Sequence, residues 1–200
     1  MKILNAYDKP IEYQLKVLKK IIKKNKILME ILTVLEKLDI DDCFVAAGAI
    51  NQTVFNYLHG YEIDKNINDY DIVYFDSDSS YEKEDIVIKK IENALLHLNV
   101  KIDIKNQARV HLWYGKKFGH EIQANKSVYD AINKWGTTVT CIGVRLKNNK
   151  LIVYAPFGLN DLFKMIIRPN KENYIKRDYD EKAKRWKNNW PKLTIIPWDL

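Results

Sequence analysis

DYDIVYFD, residues 69–76, joins the β-branched and aromatic character of a strand to two carboxylates at its entrance. Side chains alternate along a strand, so Asp69 and Asp71 leave the same face, roughly 7 Å apart at Cα. Asp76 falls on the opposite face from Asp71. Two like charges held this close destabilise each other unless something positive stands between them. The segment therefore reads as a strand that presents a cation site.

Working outward, Cys43 to Ala47 reads as a short apolar strand running into Gly48, and Asn51 to Leu58 as a helix stopped by Gly60. After the 69–76 strand, Ser79 with Glu82 has capping-box spacing. The helix it opens carries Ile88, Ile91, Leu95 and Leu98 on its apolar face. Val100 to Lys105 is a further strand, and Ser127 with Asp130 has capping spacing before a short helix. Val139 to Leu146 and Leu151 to Tyr154 read as a hairpin turning at Asn148 and Asn149. Helices are expected near 159–167 and 174–188. Upstream, Ile11, Leu15, Leu18 and Ile22 form one amphipathic stripe, and Ile27, Leu28, Ile31, Leu32, Leu35 and Leu38 a second. The expectation is one α/β (α+β) domain over 1–200, with a small mixed sheet flanked by helices. A helical extension (1–40) precedes a sheet-bearing core (41–155), and a helical part (156–200) follows.

A hydrophobic content of 46% supports a sizeable core. No run of 18 or more apolar residues is present, which argues against a membrane span. No secretory signal is visible, and Cys43 and Cys141 stand far apart in apolar company; both points suggest a cytoplasmic location with reduced thiols. The net charge of +7 is uneven: residues 60–85 carry nine acids against Lys65 and Lys83, whereas residues 164–192 carry ten Lys and Arg against four acids. An acidic centre inside a basic protein suits a cation site within a surface that attracts anions.

Three elements fit one chemistry. A strand ends at Gly48 and leads into a helix, a second strand carries Asp69 and Asp71, and a third carries Asp103 between Ile102 and Ile104, which point the other way. Phosphoryl transfer with divalent ions needs such a set, because Mg²⁺ (or Mn²⁺) takes carboxylate and phosphate oxygens together. A glycine before a helix lets backbone N–H groups approach a triphosphate. The bland alternative keeps Asp71 as the partner of a lysine or arginine, and Asp103 as an ion pair with Lys101 or Lys105.

The runs AAGAINQTVFNYLHG (46–60), NDYDIVYFD (68–76), IDIKNQARVH (102–111), TTVTCIGVRL (137–146), APFGLNDLF (155–163), IIRPN (166–170) and RWKNNWPKL (185–193) resemble an uncharacterised bacterial nucleotidyltransferase-like family. That family lies within the DNA polymerase beta-like nucleotidyltransferase superfamily. The resemblance spans about residues 43–193 and implies Mg²⁺ at the D-x-D pair and transfer of a nucleoside monophosphate from an NTP to a hydroxyl. Carried over, Asp69, Asp71 and Asp103 are the catalytic carboxylates and metal ligands, and Gly48 and Ala49 line the triphosphate. Two departures stand out. Gly48-Ala49 replaces the usual Gly-Gly or Gly-Ser, and YEIDKNIN (61–68) lengthens the approach to Asp69.

Asn106, Gln107, Arg109 and His111 form a polar knot after the third strand. Arg109 is a candidate phosphate fork, and Asn106 and Gln107 are candidates to read a base; the alternative is a hydrogen-bonded turn. Arg145 is a further nucleotide-binding candidate; Asp161 is either its partner or only an N-terminal cap, and Arg168 either approaches phosphate or caps a helix. The aromatic and basic residues from Tyr174 to Trp198 either stack on nucleic acid or pack as core. Three functions remain open: a metal-dependent nucleotidyltransferase, a catalytically degenerate nucleotide- or partner-binding module, and a basic nucleic-acid-binding protein. The acceptor (a small molecule, an RNA end or a protein), the NTP and the oligomeric state are not legible.

Overall fold

The computed structural model describes residues 4–200. Five strands, β1 (Phe44–Ala46), β2 (Tyr70–Tyr74), β3 (Ile102–Asn106), β4 (Gly143–Lys147) and β5 (Lys150–Tyr154), form a mixed sheet in the order β3-β2-β1-β4-β5. Only β2 and β3 run parallel; the other neighbours are antiparallel. The helices are α1 (Ile11–Ile22), α2 (Lys26–Leu38), α3 (Gly48–His59), α4 (Tyr81–Leu95), α5 (His111–Phe118), α6 (Val128–Asn133), α7 (Asn160–Lys164) and α8 (Lys176–Asn189). The mixed sheet flanked by helices agrees with the expectation. The C-terminal part is not wholly helical, because β6 (Ile166–Ile167) pairs with β7 (Thr194–Ile195).

Alternation divides the sheet into two faces. Val45, Tyr70, Ile72, Tyr74, Ile104 and Val144 join the main core with α1, α2, α3, α7 and α8. Phe44, Ala46 and Val73 point the other way and pack with Val128 and Ile132 of α6 and with Cys141. The period-2 pattern thus sends Asp71 and Val73 to the smaller, open side and their neighbours into the core.

Local chemistry explains most boundaries. Asn25 caps α2, accepting from the Leu28 N–H while its own amide donates to Thr53 Oγ1 at 2.9 Å inside the core. Gly60 ends α3 with φ 74°. Ser127 caps α6 through Asp130 N–H, and Asn148 and Asn149, at φ 50° and 56°, turn the β4–β5 hairpin as anticipated. Three expectations shift. The α4 cap is Ser80, accepting from Lys83 N–H, so no reciprocal box with Glu82 forms. The buried stripe of α1 is Gln14, Val17, Leu18, Ile21 and Ile22, leaving Ile11 exposed. The 159–167 helix stops at Lys164, where Met165 turns left-handed and hands the chain to β6.

Cys43 and Cys141 are free and buried, and burial pushes each thiol up to about 12. No helix among the described residues is long and apolar enough to cross a membrane.

Candidate active site

β2 and β3 set the geometry. Their parallel register puts Asp71 opposite Asp103, and β1 pairs Asp71 with Ala46 on the other side. Adjacent strands lie about 4.8 Å apart, so the two carboxylates and the exit of β1 share one patch. Asp69 stands two positions upstream of Asp71 on the same face. Asp71 makes no hydrogen bond or ion pair among the described residues. Burial first, then the charges of Asp69 and Asp103, push its carboxyl up to about 6, against the pull of Lys182 and Lys105. The two outer carboxylates are countered by lysines: Asp103 by Lys105, and Asp69 by Lys101 at 3.7 Å.

The β1–α3 connection closes this patch. Ala47 precedes α3 at φ 51°, ψ −123°, a backbone state that a Cβ opposes. Its N–H is fixed on Ile142 O at 3.0 Å. The special conformation thus falls one residue before the Gly48-Ala49 pair singled out from sequence. At Gly48 a Cβ would lie 2.9 Å from the movable amide end of Gln52 and at an ordinary 4.0 Å from Asp71 Oδ2. Ala49 is fully buried, so its side chain does not reach the cavity.

A cavity of about 270 Å³ opens beside the carboxylates. Asp71, Asp103 and Ala47 form part of its wall, Trp113, Tyr114, Phe118, Trp135 and Tyr174 supply aromatic surface, and Lys105, Lys117, Lys134 and Lys182 supply positive charge. Gln107 and Asn125 add amides; Asn125 donates to Gln107 O at 3.1 Å, and its own oxygen has no partner. Anionic phosphate and a flat heterocycle are the groups that such walls suit.

Of the residues singled out from sequence, the structure brings Asp69, Asp71, Asp103, Gly48 and Gln107 to this region. Asn106, Arg109 and Arg145 do not line the cavity. Asn106 is fully engaged: its N–H donates to Glu84 Oε1 at 2.9 Å, its side-chain oxygen accepts from Asp76 and Ala108, and its amide donates to Asp76 O. Arg109 Nε lies 2.7 Å from Glu84 Oε2, close in distance but not aligned as a hydrogen bond, and its Nη1 donates to Ser79 O. These two residues tie the end of β3 to the start of α4, the contacts that the hydrogen-bonded-turn alternative describes. His111 opens α5, and its Nδ1 has no partner.

Arg145 donates to Asp42 Oδ1 at 2.8 Å and lies over the Phe44 ring, so its partner is Asp42 and not Asp161. Asp161 instead holds Arg168 through two bonds, 2.9 and 3.2 Å, and accepts from Thr138. In the C-terminal part, Tyr179, Trp186 and Trp190 are buried, and Trp190 Nε1 donates to Asn56 Oδ1 at 2.7 Å. That burial removes most of the stacking surface on which nucleic-acid binding by this segment depended.

Sequence reasoning named Lys105 only as an ion-pair partner of Asp103, as the structure has it, and missed Lys182 and the aromatic side chains of α5. Alternation offered a signal for Lys105, two residues after Asp103, and WYGKKF (113–118) is an aromatic-basic run; nothing in the spacing points to Lys182.

A family model described as nucleotidyltransferase matches residues 33–195, from within α2 through β7. The chain belongs to this nucleotidyltransferase family. Among solved structures it resembles one described as an NMR structure that reveals a CCA-adding enzyme head domain. The two share 24% identity and a TM-score of 0.72, over 91% of this chain and 95% of that one. At that identity the likeness is one of fold: the mixed sheet with its flanking helices is a nucleotidyltransferase fold. No protein of curated function matches.

The carboxylates suit a divalent cation in donor type. As placed, however, no three of the described His, Cys, Asp and Glu residues gather closely enough to hold one. Asp71 is the residue that favours a cation: unpaired and pressed by two like charges.

Proposed function

We propose that the chain is a metal-dependent nucleotidyltransferase that moves a nucleoside monophosphate from an NTP to a hydroxyl acceptor. The observation carrying this reading is the unpaired Asp71, in register with Asp103 and crowded by Asp69, at the wall of a cavity of lysines and aromatic rings. Asp69, Asp71 and Asp103 would hold Mg²⁺ or Mn²⁺, with Lys101 and Lys105 released from the outer pair. When bound, the cation neutralises phosphate charge and lowers the proton affinity of the acceptor hydroxyl.

The chain's own residues do the remainder. Backbone N–H groups at the start of α3 take phosphate oxygens. The aromatic wall holds the base, and Asp103 accepts the proton of the attacking hydroxyl. The hydroxyl oxygen bonds to the α-phosphorus, the bridging P–O bond to the β-phosphate breaks, and pyrophosphate leaves with that electron pair. The acceptor is a small hydroxylated molecule, an RNA end or a protein side chain.

Thermal unfolding with Mg²⁺ and each NTP in turn tests the site. Ligand at about a hundred times its Kd adds roughly 2.7 kcal/mol, on the order of 5–10 °C at this chain length. A Mg²⁺-dependent shift that is absent in D69N/D71N supports the reading, and no shift with any NTP defeats it. A second reading, a nucleotide-binding module without turnover, is favoured by the Lys105–Asp103 pair and by the lack of a hydroxyl at Ala49. Pyrophosphate release in an acceptor screen separates the two.

A further inference from the structure

The Gly48-Ala49 turn before α3 offers no polar side chain to a ligand. Ala49 is 0% exposed, and its carbonyl is already taken by Thr53 Oγ1 at 2.6 Å. A triphosphate carries several negative charges, so a site with no side-chain contact from that turn needs positive charge from elsewhere.

Four lysines line the cavity. Lys105 is held by Asp103, Lys134 bonds Asp130 at 2.9 Å, and Lys117 lies over Trp113 at 5.4 Å. Lys182 differs from the first two: no carboxylate lies within ion-pair distance of it among the described residues. Its ammonium stands over Tyr174 at 5.4 Å and Trp186 at 5.3 Å. It shares the cavity wall with Asp71 and Asp103, and the helix that carries it packs against α3.

The helix that carries it is fixed against the same part of the fold. Tyr179, Ala183 and Trp186 of α8 are buried, and the Trp186 ring meets Phe55 of α3 edge-on at 6.1 Å. α3 is the helix that begins at Gly48. One helix pair therefore carries both the backbone turn and the lysine. Aromatic faces restrain the long side chain before any ligand arrives, which reduces the ordering cost on binding.

We infer that Lys182 is a triphosphate-binding residue of this site, its ammonium contacting the β- and γ-phosphates of the bound NTP and supplying the side-chain contact that the Gly48-Ala49 turn lacks. This assignment rests on the nucleotidyltransferase reading and extends it to a residue of the C-terminal helix.

The test compares each NTP with its own monophosphate, in Mg²⁺, by calorimetric titration of wild type, K182M and K182R. Met keeps an aliphatic stem on Tyr174 and Trp186, so the fold should survive, and the apo unfolding temperature checks this. Loss of a charge-assisted phosphate contact predicts NTP affinity lower by roughly ten- to a hundredfold in K182M. Monophosphate affinity should be nearly unchanged, and K182R should recover most of the loss. K182M that binds NTP like wild type, or that loses mono- and triphosphate binding in equal proportion, overturns the assignment alone. A wild-type chain that binds no nucleotide overturns this assignment and the nucleotidyltransferase reading together.

Discussion

Replacing Asp71 by Asn should stabilise the folded protein at neutral pH while removing its response to Mg²⁺. In the folded chain the Asp71 carboxyl is pushed from 3.8 up to about 6, by burial and then by Asp69 and Asp103. Each pKa unit corresponds to 1.36 kcal/mol, so ionised Asp71 costs the folded state about 3 kcal/mol. Folded Asp71 keeps its proton up to about pH 6, whereas the unfolded chain loses it near 3.8. Between those values the folded state holds the extra proton, and stability falls as pH rises. Asn imitates the protonated form, so the gain of D71N should vanish below about pH 4, grow through the window and level off above about pH 6. At this chain length the plateau corresponds to about 6–12 °C in Tm. Calorimetry of both proteins from pH 4 to 8 measures it. Saturating Mg²⁺ should then raise wild type towards the variant and leave the variant where it was. A D71N protein less stable than wild type at pH 7, or a difference that ignores pH, would refute the electrostatic account of Asp71.

Two further substitutions probe the frame of the site. Ala47→Gly removes the Cβ that opposes φ 51°, ψ −123°; stability should rise by about 1 kcal/mol, the strain relieved less the entropy that glycine adds to the unfolded chain. Urea denaturation measures this, and a lower midpoint at unchanged slope would count against strain at that turn. Arg109→Met leaves Glu84, with a side chain only 11% exposed, without its charge partner; the loss should be about 3–5 kcal/mol, partly recovered in R109M/E84Q, with nucleotide affinity of the folded protein unchanged. Lost affinity at unchanged stability would return Arg109 to the nucleotide site.

How much of this was legible in the sequence depends on the range of the signal. Period-2 alternation is local, so the strand 70–74, the shared face of Asp69 and Asp71 and the outward position of Asp103 followed from the residues themselves. The register that sets Asp71 opposite Asp103 did not, because it depends on parallel pairing across some thirty residues. Asn106 and Arg109 look like ligand-binding residues on the page, since polar clusters after a strand can serve a site or a turn. What decides is Glu84, Asp76 and Asp78, whose positions only the fold reveals. The C-terminal aromatics were ambiguous in the same manner: Trp186 and Trp190 at helical spacing suit a core or a stacking surface, and Phe55 and Asn56 of α3 make them core. Lys182 lies in a lysine-rich helix that gives it no local mark, and its meaning comes from sharing a cavity wall with a carboxylate more than a hundred positions earlier.

The charge pattern around the carboxylates also explains how the fold tolerates them. Three acids on one face of two neighbouring strands repel, and burial of Asp71 sharpens the repulsion. The chain surrounds them with separate lysines, Lys101 at Asp69, Lys105 at Asp103 and Lys182 acting on Asp71, instead of one that would neutralise the centre. Asp71 is left as the group without a bonded partner, and its repulsion is held by the core on the opposite face, where Tyr70, Ile72, Tyr74 and Ile104 lock β2 and β3 to the helices. An interior that carried its own fixed cation at Asp71 would be more stable and would have nothing to gain from a ligand. By leaving that charge uncompensated, the fold makes stability itself depend on what binds there, which is why unfolding temperature, ahead of any assay of turnover, is the observable in which the cation and the nucleotide should first appear.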